Sequence, residues 1–589
     1  MYNLLDAATR TNTIDNMYGG ITLNFDNERQ IKDNSYKIPA GKYEGAVAKK
    51  LKKRLNSGSA VAIVIAAFVV LPILSISWMA LSVDTSQWGH LLATVLPRYF
   101  TNSLLLMLGV GLVSLCLGTS LAYVVTHLEF PGRKIVQYAL FLPLAVPSFV
   151  AAYAWVDVLE YAGPLQTYLR NIAGWTSARD YWFPNIRSLP GAVLVLSFTL
   201  YPYVYLLARA AFRELPASGQ DVARSLGLGH ARQFWNVSLP QARPAIAAGT
   251  AIVMMETLND FGTVDYFAVQ TLTTGIFSLW LESYNPGGAA QLALLAVAIV
   301  AILLWVEKIG RRRARFNRTG RQIARIQPQI PARGVRFLSL FFCVLPILMG
   351  FFIPLSVLVA PALRDSSLWS GTGLWRAAGH SVLLGSISAI LVVGISAAMV
   401  LGLNGARPAM RKALLTVTTL GYAFPGAVLG LGVLVPLAFF DNWVADRIYD
   451  AFKVDTGLLL TGSMAALVVA YVVRFFAIGV GATEAGLAAI SPNIPLAAQS
   501  LGSTPRSLAL KIYQPLMRGS LASALVLVFV DTVKELPATL LLRPFNFETL
   551  STRIYGQASL ENFNAVAPDA LLIVALSLGA IILLAKAHR

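Results

Sequence analysis

The sequence predicts an all-α membrane protein with about 12 transmembrane helices in two homologous six-helix halves. Of its 589 residues, 56% are hydrophobic and only 13% are charged, and the mean hydropathy is +0.63. An ordinary soluble domain has about a quarter of its residues charged. The other two observations that predict this fold are a series of long apolar windows and an internal repeat.

Twelve windows are close to the roughly 20 apolar residues that a helix needs to cross the hydrocarbon layer. Those before the middle of the chain lie near 60–82, 103–126, 137–158, 190–212, 244–266 and 288–306. Those after it lie near 337–362, 381–403, 413–440, 458–480, 517–540 and 570–587.

The internal repeat is clearest in two polar segments between apolar windows. DVARSLGLGHARQFWNVSLP (221–240) and LAAQSLGSTPRSLALKIYQP (496–515) both read x-x-Ala-x-Ser-Leu-Gly and both end in proline. Gly227 and Gly502 lie 275 positions apart, as do Pro240 and Pro515, so the copies align without a gap. The repeat therefore predicts two homologous halves, 57–306 and 337–589.

The net charge of +18 is concentrated in alternate loops. This distribution is typical of the positive-inside rule and predicts that both termini are cytoplasmic, which explains the charge better than nucleic-acid binding does. Residues 1–56 are then expected to form a cytoplasmic extension. Residues 307–336 are expected to form a cytoplasmic linker, with ten basic and no acidic residues from Lys308 onward.

Each polar segment is expected to form a compact cytoplasmic knob, within loops 213–243 and 484–518. A short helix would end at Gly227 or Gly502, and the chain would re-enter the membrane at Pro240 or Pro515. An ordinary amphipathic linker is the alternative for one such segment. Two copies at a fixed offset favour the knob.

Four carboxylates lie inside the predicted spans and follow the same repeat. Glu256 aligns with Asp531, and Asp260 with Glu535, and each half spaces its pair i, i+4, which predicts one helix face. Counted from Pro240, the pair in the first half lies about 24 and 30 Å along the helix. Buried carboxylates mark substrate or ion paths, so the four are candidates for a translocation pathway that contacts a hard cation transiently. Structural pairing, with Lys534 for example, is the alternative.

The two polar segments resemble the EAA loop of bacterial ABC importer permeases. That pattern is Glu-Ala-Ala, three residues, Gly, nine residues and Ile-x-Leu-Pro. The matching residues are Asp221, Ala223, Gly227, Val237, Leu239 and Pro240 in the first copy, and Ala497, Ala498, Gly502, Ile512 and Pro515 in the second. The sequence departs from the pattern at Val222, Leu496 and Gln514.

The resemblance extends over both halves and is closest to fused permeases of the ferric iron type, to which 255–277 and 533–555 are also similar. It implies the type I ABC importer fold, a multi-pass location in the bacterial inner membrane, and ferric iron as cargo. It also implies two copies of a separate ATPase, which carry ATP and magnesium and bind the matching loop residues, and a periplasmic substrate-binding protein. Thiamine, phosphonate, sulphate and polyamine permeases are relatives, so those cargoes remain alternatives.

No ATPase activity is expected from this chain, because its only Gly-Lys pair, Gly41-Lys42, lacks the rest of a P-loop. We expect it to bind no cofactor. His90, His127, His230, His380 and His588 are scattered and are expected to be interfacial or solvated. A secondary transporter with two repeated halves is the main alternative class. A membrane-embedded enzyme is a third, for which no cytoplasm-facing acidic or metal-ligand cluster is evident.

Overall fold

The computed structural model describes residues 43–82, 89, 93–215, 217–312, 328–404 and 406–587, some of them by backbone alone. Within these ranges the regular structure is helical apart from one isolated β-bridge between Leu128 and Gln329. The chain divides into a small unit, Met1–Ser57, and a large one, Gly58–Arg589. Most of the predicted extension (1–42) and the middle of the predicted linker (313–327) lie outside the described residues.

The described part of the first half contains twelve α-helices, numbered here in chain order. They are α1 Tyr43–Ser82, α2 Leu96–His127, α3 Arg133–Ala139, α4 Ser148–Leu159, α5 Pro164–Ala173, α6 Leu189–Arg213, α7 Ala217–Ser225, α8 His230–Gln233, α9 Leu239–Asn259, α10 Gly262–Tyr266, α11 Leu272–Phe277 and α12 Pro286–Arg312. Leu142–Ala145 forms a 3-10 turn, and Phe234–Ser238 and Ser278–Glu282 form π turns.

The second half has the same order from the counterpart of α6 onward, whereas the counterpart of α1 is broken in two and one long helix replaces α4 and α5. Its helices are α13 Arg333–Ile347, α14 Ile353–Arg364, α15 Thr372–Gly402, α16 Pro408–Thr419, α17 Gly426–Phe452, α18 Met464–Ala488, α19 Asn493–Ser500, α20 Pro505–Leu508, α21 Gln514–Lys534, α22 Pro537–Leu542, α23 Leu550–Ser559 and α24 Phe563–Ala587. Ser366–Trp369 and Leu420–Ala423 form 3-10 turns, and Leu348–Phe352 and Ala509–Tyr513 form π turns.

The repeat seen in the sequence is present in the backbone. Helices α6 and α18 begin and end 275 positions apart, and so do α9 and α21. Even the π turns before α9 and α21 have this offset. From α6 to the start of α10 the two halves therefore have the same local fold, and residues 275 apart occupy equivalent positions.

The all-helical membrane fold is confirmed, with fewer uninterrupted spans than the twelve expected. Ten helices of the described chain are long and apolar enough to cross a membrane. An eleventh is counted if the pair Arg133–Ala145 and Ser148–Ala173 is one span, broken by a 91° bend. The predicted fifth span is present as α9 but does not meet the same criterion.

The first apolar helix of each half packs against the other half. Ser75 of α1 donates a 2.6 Å hydrogen bond to the carbonyl oxygen of Gly432 in α17. In the matching contact for the first helix of the second half, the Trp155 indole of α4 donates to the carbonyl oxygen of Met349, in the π turn between α13 and α14, at 3.2 Å. This exchange joins the halves into one bundle and places their equivalent helices around a shared centre.

Candidate transport site

Broken helices surround the centre of the bundle in both halves. The 3-10 turns Leu142–Ala145 and Leu420–Ala423 end just before Pro147 and Pro425, which are extended and directly precede α4 and α17. A residue before proline is disfavoured in the α conformation, and proline has no N–H to continue the helix. The predicted third span of each half is therefore not one straight helix.

A second break follows α9 and α21. Asp260 and Glu535 are extended, with φ/ψ of −67°/131° and −68°/125°, so the helices end at Asn259 and Lys534. The expectation that Glu256 and Asp260 share one helix face, and Asp531 and Glu535 likewise, is wrong. The chain leaves the helical conformation between the members of each pair.

The carboxylate of Asp260 accepts hydrogen bonds from the first turns of two helices, α10 and α4. Its carboxylate accepts hydrogen bonds from the backbone N–H of Thr263 at 2.9 Å and of Val264 at 3.2 Å, in the first turn of α10. It also accepts from the hydroxyl of Ser148, the first residue of α4, at 2.6 Å. A carboxylate at a helix N-terminus satisfies otherwise unpaired N–H groups and interacts favourably with the helix dipole.

Glu535 has the same role in the second half and adds an ion pair. It accepts from the backbone N–H of Ala538 at 2.9 Å and of Thr539 at 3.0 Å, in the first turn of α22. Arg474 of α18 lies 3.4 Å from it, and both side chains are buried, with 11% and 1% exposed. The equivalent of Arg474 in α6 is Thr199, so this pair is specific to the second half.

All four predicted carboxylates line one cavity of about 150 Å³ between the halves. Its other polar side chains are Ser148, Thr199, Tyr203, Asn259, Tyr422, Arg474 and Lys534. Its apolar wall includes Leu144, Val146, Phe149, Leu200, Phe261, Phe475 and Leu536. The structure thus brings together residues that lie as far apart as 144 and 537 in the chain.

The two carboxylates in the last turns of α9 and α21 are not used as helix caps. Glu256 accepts a 2.9 Å hydrogen bond from the hydroxyl of Tyr422, which belongs to the other half. Asp531, at the equivalent position, is half-buried in the same cavity. Glu256 and Asp531 are therefore the carboxylates with coordinating capacity left.

Two polar residues at equivalent positions differ between the halves. Lys534 donates a 2.5 Å hydrogen bond to the carbonyl oxygen of Leu144 across the interface between the halves. Its equivalent is Asn259, which is only 3% exposed and lines the cavity. Neither the nitrogen nor the oxygen of the Asn259 carboxamide has a hydrogen-bond partner among the described residues.

Sequence reasoning did not identify Asn259, Tyr422 or Arg474. Arg474 had a readable signal, because a lone arginine in an otherwise apolar span is expensive and tends to face a polar interior. Tyr422 and Asn259 had none, since their position depends on how the two halves pack.

The predicted knobs have the expected glycine geometry. Gly227 and Gly502 have φ of +74° and +84°, and the N–H of the following residue bonds back to the carbonyl of Ala223 or Ala498 at 3.0 Å. This 6→1 bond defines a Schellman helix end, for which glycine is favoured because it lacks a Cβ.

The predicted loop residues differ in their exposure. Asp221, Gly227, Ala497, Gly502 and Pro515 are exposed, Leu239, Pro240, Ala498 and Ile512 are half-buried, and Ala223 is buried. Ala223 therefore supports the knob from inside. Among the described apolar side chains of the two loops, the equivalent residues Leu226 and Leu501 are the most exposed, at 73% and 87%.

Each knob is fastened to the bundle by aromatic side chains. Phe234, in the π turn after α8, lies edge-on to Tyr123 of α2 at 4.8 Å between ring centroids. Tyr513, at the end of the equivalent π turn, accepts a 3.1 Å hydrogen bond from Asn404. His127 belongs to the first cluster and is 6% exposed, stacked on Tyr123, so the alternative that it is solvated is wrong.

Comparisons with known proteins agree with this architecture. Residues 114–316 match the family described as the binding-protein-dependent transport system inner membrane component. The Fe(3+)-transport system permease protein FbpB 2 of Haemophilus influenzae is 25% identical over 486 residues, 82% of this chain and 88% of its own. The molybdenum transport system permease protein ModB of Escherichia coli is 27% identical over 213 residues, 34% of this chain and 90% of its own. The sulfate permease protein CysT of Salmonella typhimurium is 26% identical over 207 residues, 34% of this chain and 70% of its own.

The fold and these matches define the chain as a multi-pass inner-membrane permease of an ABC transport system. Its likeness to permeases named for ferric iron runs through both halves, whereas the molybdenum permease has the length of about one half. Its relatives are permease subunits and not enzymes.

Proposed function

We propose that this permease imports ferric iron, delivered by a periplasmic binding protein and driven by ATP hydrolysis on two copies of a separate ATPase. The observation that carries the cargo assignment is the acidic cavity between the halves. Four carboxylates line it against two cationic side chains, Arg474 and Lys534. Carboxylate oxygens are ligands that hard cations prefer.

The cationic side chains of the cavity are engaged within the protein. Arg474 is paired with Glu535, and Lys534 donates to the carbonyl oxygen of Leu144. The carboxylates of Glu256 and Asp531 are then the charged groups of the cavity that can still coordinate a cargo ion. This distribution favours a cation over an oxyanion.

The two knobs are the proposed docking sites of the ATPase subunits. Leu226 and Leu501 are large apolar side chains exposed at equivalent positions of loops that we place on the cytoplasmic side. Two equivalent knobs require two equivalent partners, which is the basis for two copies of the ATPase. The π turns continue directly into α9 and α21, so a displaced knob moves the helices that carry Glu256 and Asp531.

An oxyanion is the second candidate cargo, because two of the relatives are named for molybdenum and sulfate. Lys534 and Arg474 would be its binding groups. Their existing contacts with Leu144 and Glu535 make this the weaker candidate.

The test is uptake by cells that contain the permease, its ATPase and its binding protein. Uptake of ⁵⁵Fe supplied as ferric citrate should exceed that of ⁹⁹Mo-molybdate and ³⁵S-sulfate, and should stop on ATP depletion. Molybdate or sulfate uptake without iron uptake would overturn the cargo assignment. Iron uptake that follows an ion gradient and persists without ATP would overturn the ATP-driven mechanism.

A further inference from the structure

We infer that the imported cation is held at one defined site in the cavity, formed by the side-chain oxygens of Glu256, Asn259 and Asp531. This inference deepens the proposed function and rests on it. It also divides the four carboxylates into two ligands, Glu256 and Asp531, and two positioning residues, Asp260 and Glu535.

Asp260 and Glu535 are excluded as ligands because their oxygens are already engaged. Each accepts two backbone N–H bonds from a helix start, and Asp260 also accepts from Ser148. Glu535 has Arg474 as a counter-ion. A cation at either group would have to replace these contacts and leave helix N–H groups unpaired, at a substantial cost.

Asn259 is the independent observation that points to a ligand. It is 3% exposed, lines the cavity, and has no hydrogen-bond partner for either carboxamide atom in the described part of the chain. A buried polar group without a partner is costly, and native proteins rarely keep one without a function. Asn259 follows Glu256 by three positions in α9, so both side chains lie on the same face of the helix.

The equivalent position in the other half shows why there is one site and not two. Lys534 replaces the amide there, and its ammonium group is directed to the carbonyl oxygen of Leu144. The second half therefore contributes Asp531 to the site but no amide oxygen. Its lysine, three positions after Asp531 in α21, puts a positive charge at the position where the first half has the amide oxygen.

The chemistry of the site fits a hard, highly charged cation. Two carboxylates and one amide provide oxygen ligands only, which suits Fe³⁺ better than a soft metal. Three protein groups do not complete a coordination sphere, so water or an accompanying anion can occupy the remaining positions. Incomplete coordination also keeps the site weak enough to release its cargo, as transport requires.

The test uses Tb³⁺, a hard trivalent probe whose emission is sensitised by nearby tyrosines, with the purified full-length chain in nanodiscs. Tyr203 and Tyr422 line the cavity, and Tyr422 contacts Glu256. We expect saturable emission from the wild type and affinity at least about tenfold weaker in E256Q, D531N and N259L, the loss of one good polar contact each. Asp450→Asn, an exposed acid far along α17, is the matched control and should bind as the wild type does.

A variant that fails to fold would also lose binding, so the decisive pair is N259D and N259K. N259D adds a ligand charge and should bind Tb³⁺ more tightly than the wild type, which misfolding cannot produce. N259K supplies the cation of the other half and should abolish binding. No wild-type emission, no gain in N259D, or unchanged binding in E256Q and D531N would each overturn the site.

The two proposals fail separately in this design. If the wild type takes up ⁵⁵Fe but Tb³⁺ binding ignores all three residues, the site is wrong and the proposed function stands. If the wild type takes up no iron, the proposed cargo is wrong whatever Tb³⁺ binding shows.

Discussion

The hydroxyl of Tyr422 donates a 2.9 Å hydrogen bond to the carboxylate of Glu256, and this bond joins the two halves at the wall of the cavity. In a second polar link at this wall, Lys534 at the end of α21 donates to the carbonyl oxygen of Leu144, so here a helix of the second half contacts a turn of the first. Leu144 and Tyr422 occupy matching places in the 3-10 turns Leu142–Ala145 and Leu420–Ala423. The two equivalent turns are therefore bound by different groups. The carboxylate of Glu256 contacts the turn of the second half, and the ammonium group of Lys534 contacts the turn of the first half.

Removing the Tyr422 hydroxyl should weaken the contact between the halves without unfolding the protein. A side-chain hydrogen bond of this kind contributes about 1 kcal/mol. We expect Tyr422→Phe to remain in the membrane and to lower iron uptake several-fold, because Glu256 loses the group that orients it. The measurement is initial uptake rate per amount of membrane-inserted protein. Tyr168→Phe, a change at an exposed tyrosine, is the control, and equal rates for both variants would contradict the role of Tyr422.

Neutralising Glu535 should destabilise the bundle. Glu535→Gln leaves Arg474 buried and unpaired, a change that costs about 3 kcal/mol or more in buried ion pairs. The first half has Thr199 and Asp260 at these positions, so the double variant Arg474→Thr/Glu535→Asp should recover part of the lost stability. Thermal unfolding in detergent would measure both. A double variant no more stable than Glu535→Gln would argue against this equivalence.

The glycines at the knobs should tolerate asparagine but not a β-branched residue. An added Cβ at Gly227 or Gly502 meets no atom within 4 Å, so the cost of substitution is backbone strain at positive φ. That strain is about 1–2 kcal/mol for most residues and less for asparagine. We expect Gly227→Val and Gly502→Val to reduce uptake and ATPase binding strongly, and both asparagine variants to retain most of each.

Gly229 supplies the matched control for this series. It lies in the same loop, has equally open space around an added Cβ, and does not have a positive φ. Gly229→Ala should transport as the wild type does. If it is as defective as Gly227→Val, chain flexibility and not the left-handed conformation is what the loop needs.

The loop between α5 and α6 should loosen only in acid. Hydrogen bonds from the backbone N–H groups of Ser177 and Thr176 hold the pKa of Asp180 below its ordinary value of about 3.9. A lowered pKa in the folded state means that the stabilisation is full above about pH 3.9 and is lost as the pH falls through the lowered value. Hydrogen exchange of 174–188, corrected for intrinsic rates, should therefore be flat from pH 7 to 5. Asp180→Asn should raise it at neutral pH, and no difference from the wild type would refute the capping role.

The sequence predicted the repeat and its consequences well. An ungapped offset of 275 is preserved in the helix bounds of α6 and α18, and the glycine ends of the knobs have the expected conformation. These features are local, because helix length follows apolar length and a left-handed helix end follows from glycine.

The division of labour among the carboxylates was not predictable. Glu256 and Asp260 lie four positions apart, and no obvious sequence signal distinguishes them. Glu256 nevertheless faces the other half, whereas Asp260 caps α10. The difference arises from a helix end at Asn259, which depends on α10 starting in the same place. Ala223 was predicted to contact a partner but is buried. The reason is similar, because which side chains of the knob point inward depends on how the loop folds.

By itself, the sequence determined that the chain is a helical membrane protein made of two related halves, each with a glycine-ended polar loop and acids at matching depth. Those properties follow from the lengths of the apolar segments and from a repeat that is still recognisable in the amino-acid sequence. Only the tertiary structure decided that the acids meet in one cavity, that two of them cap the starts of α10 and α22, and that Asn259 lines the cavity without a hydrogen-bond partner among the described residues. Such contacts join residues from different halves, and no local pattern specifies which turn of one half will lie against which helix of the other.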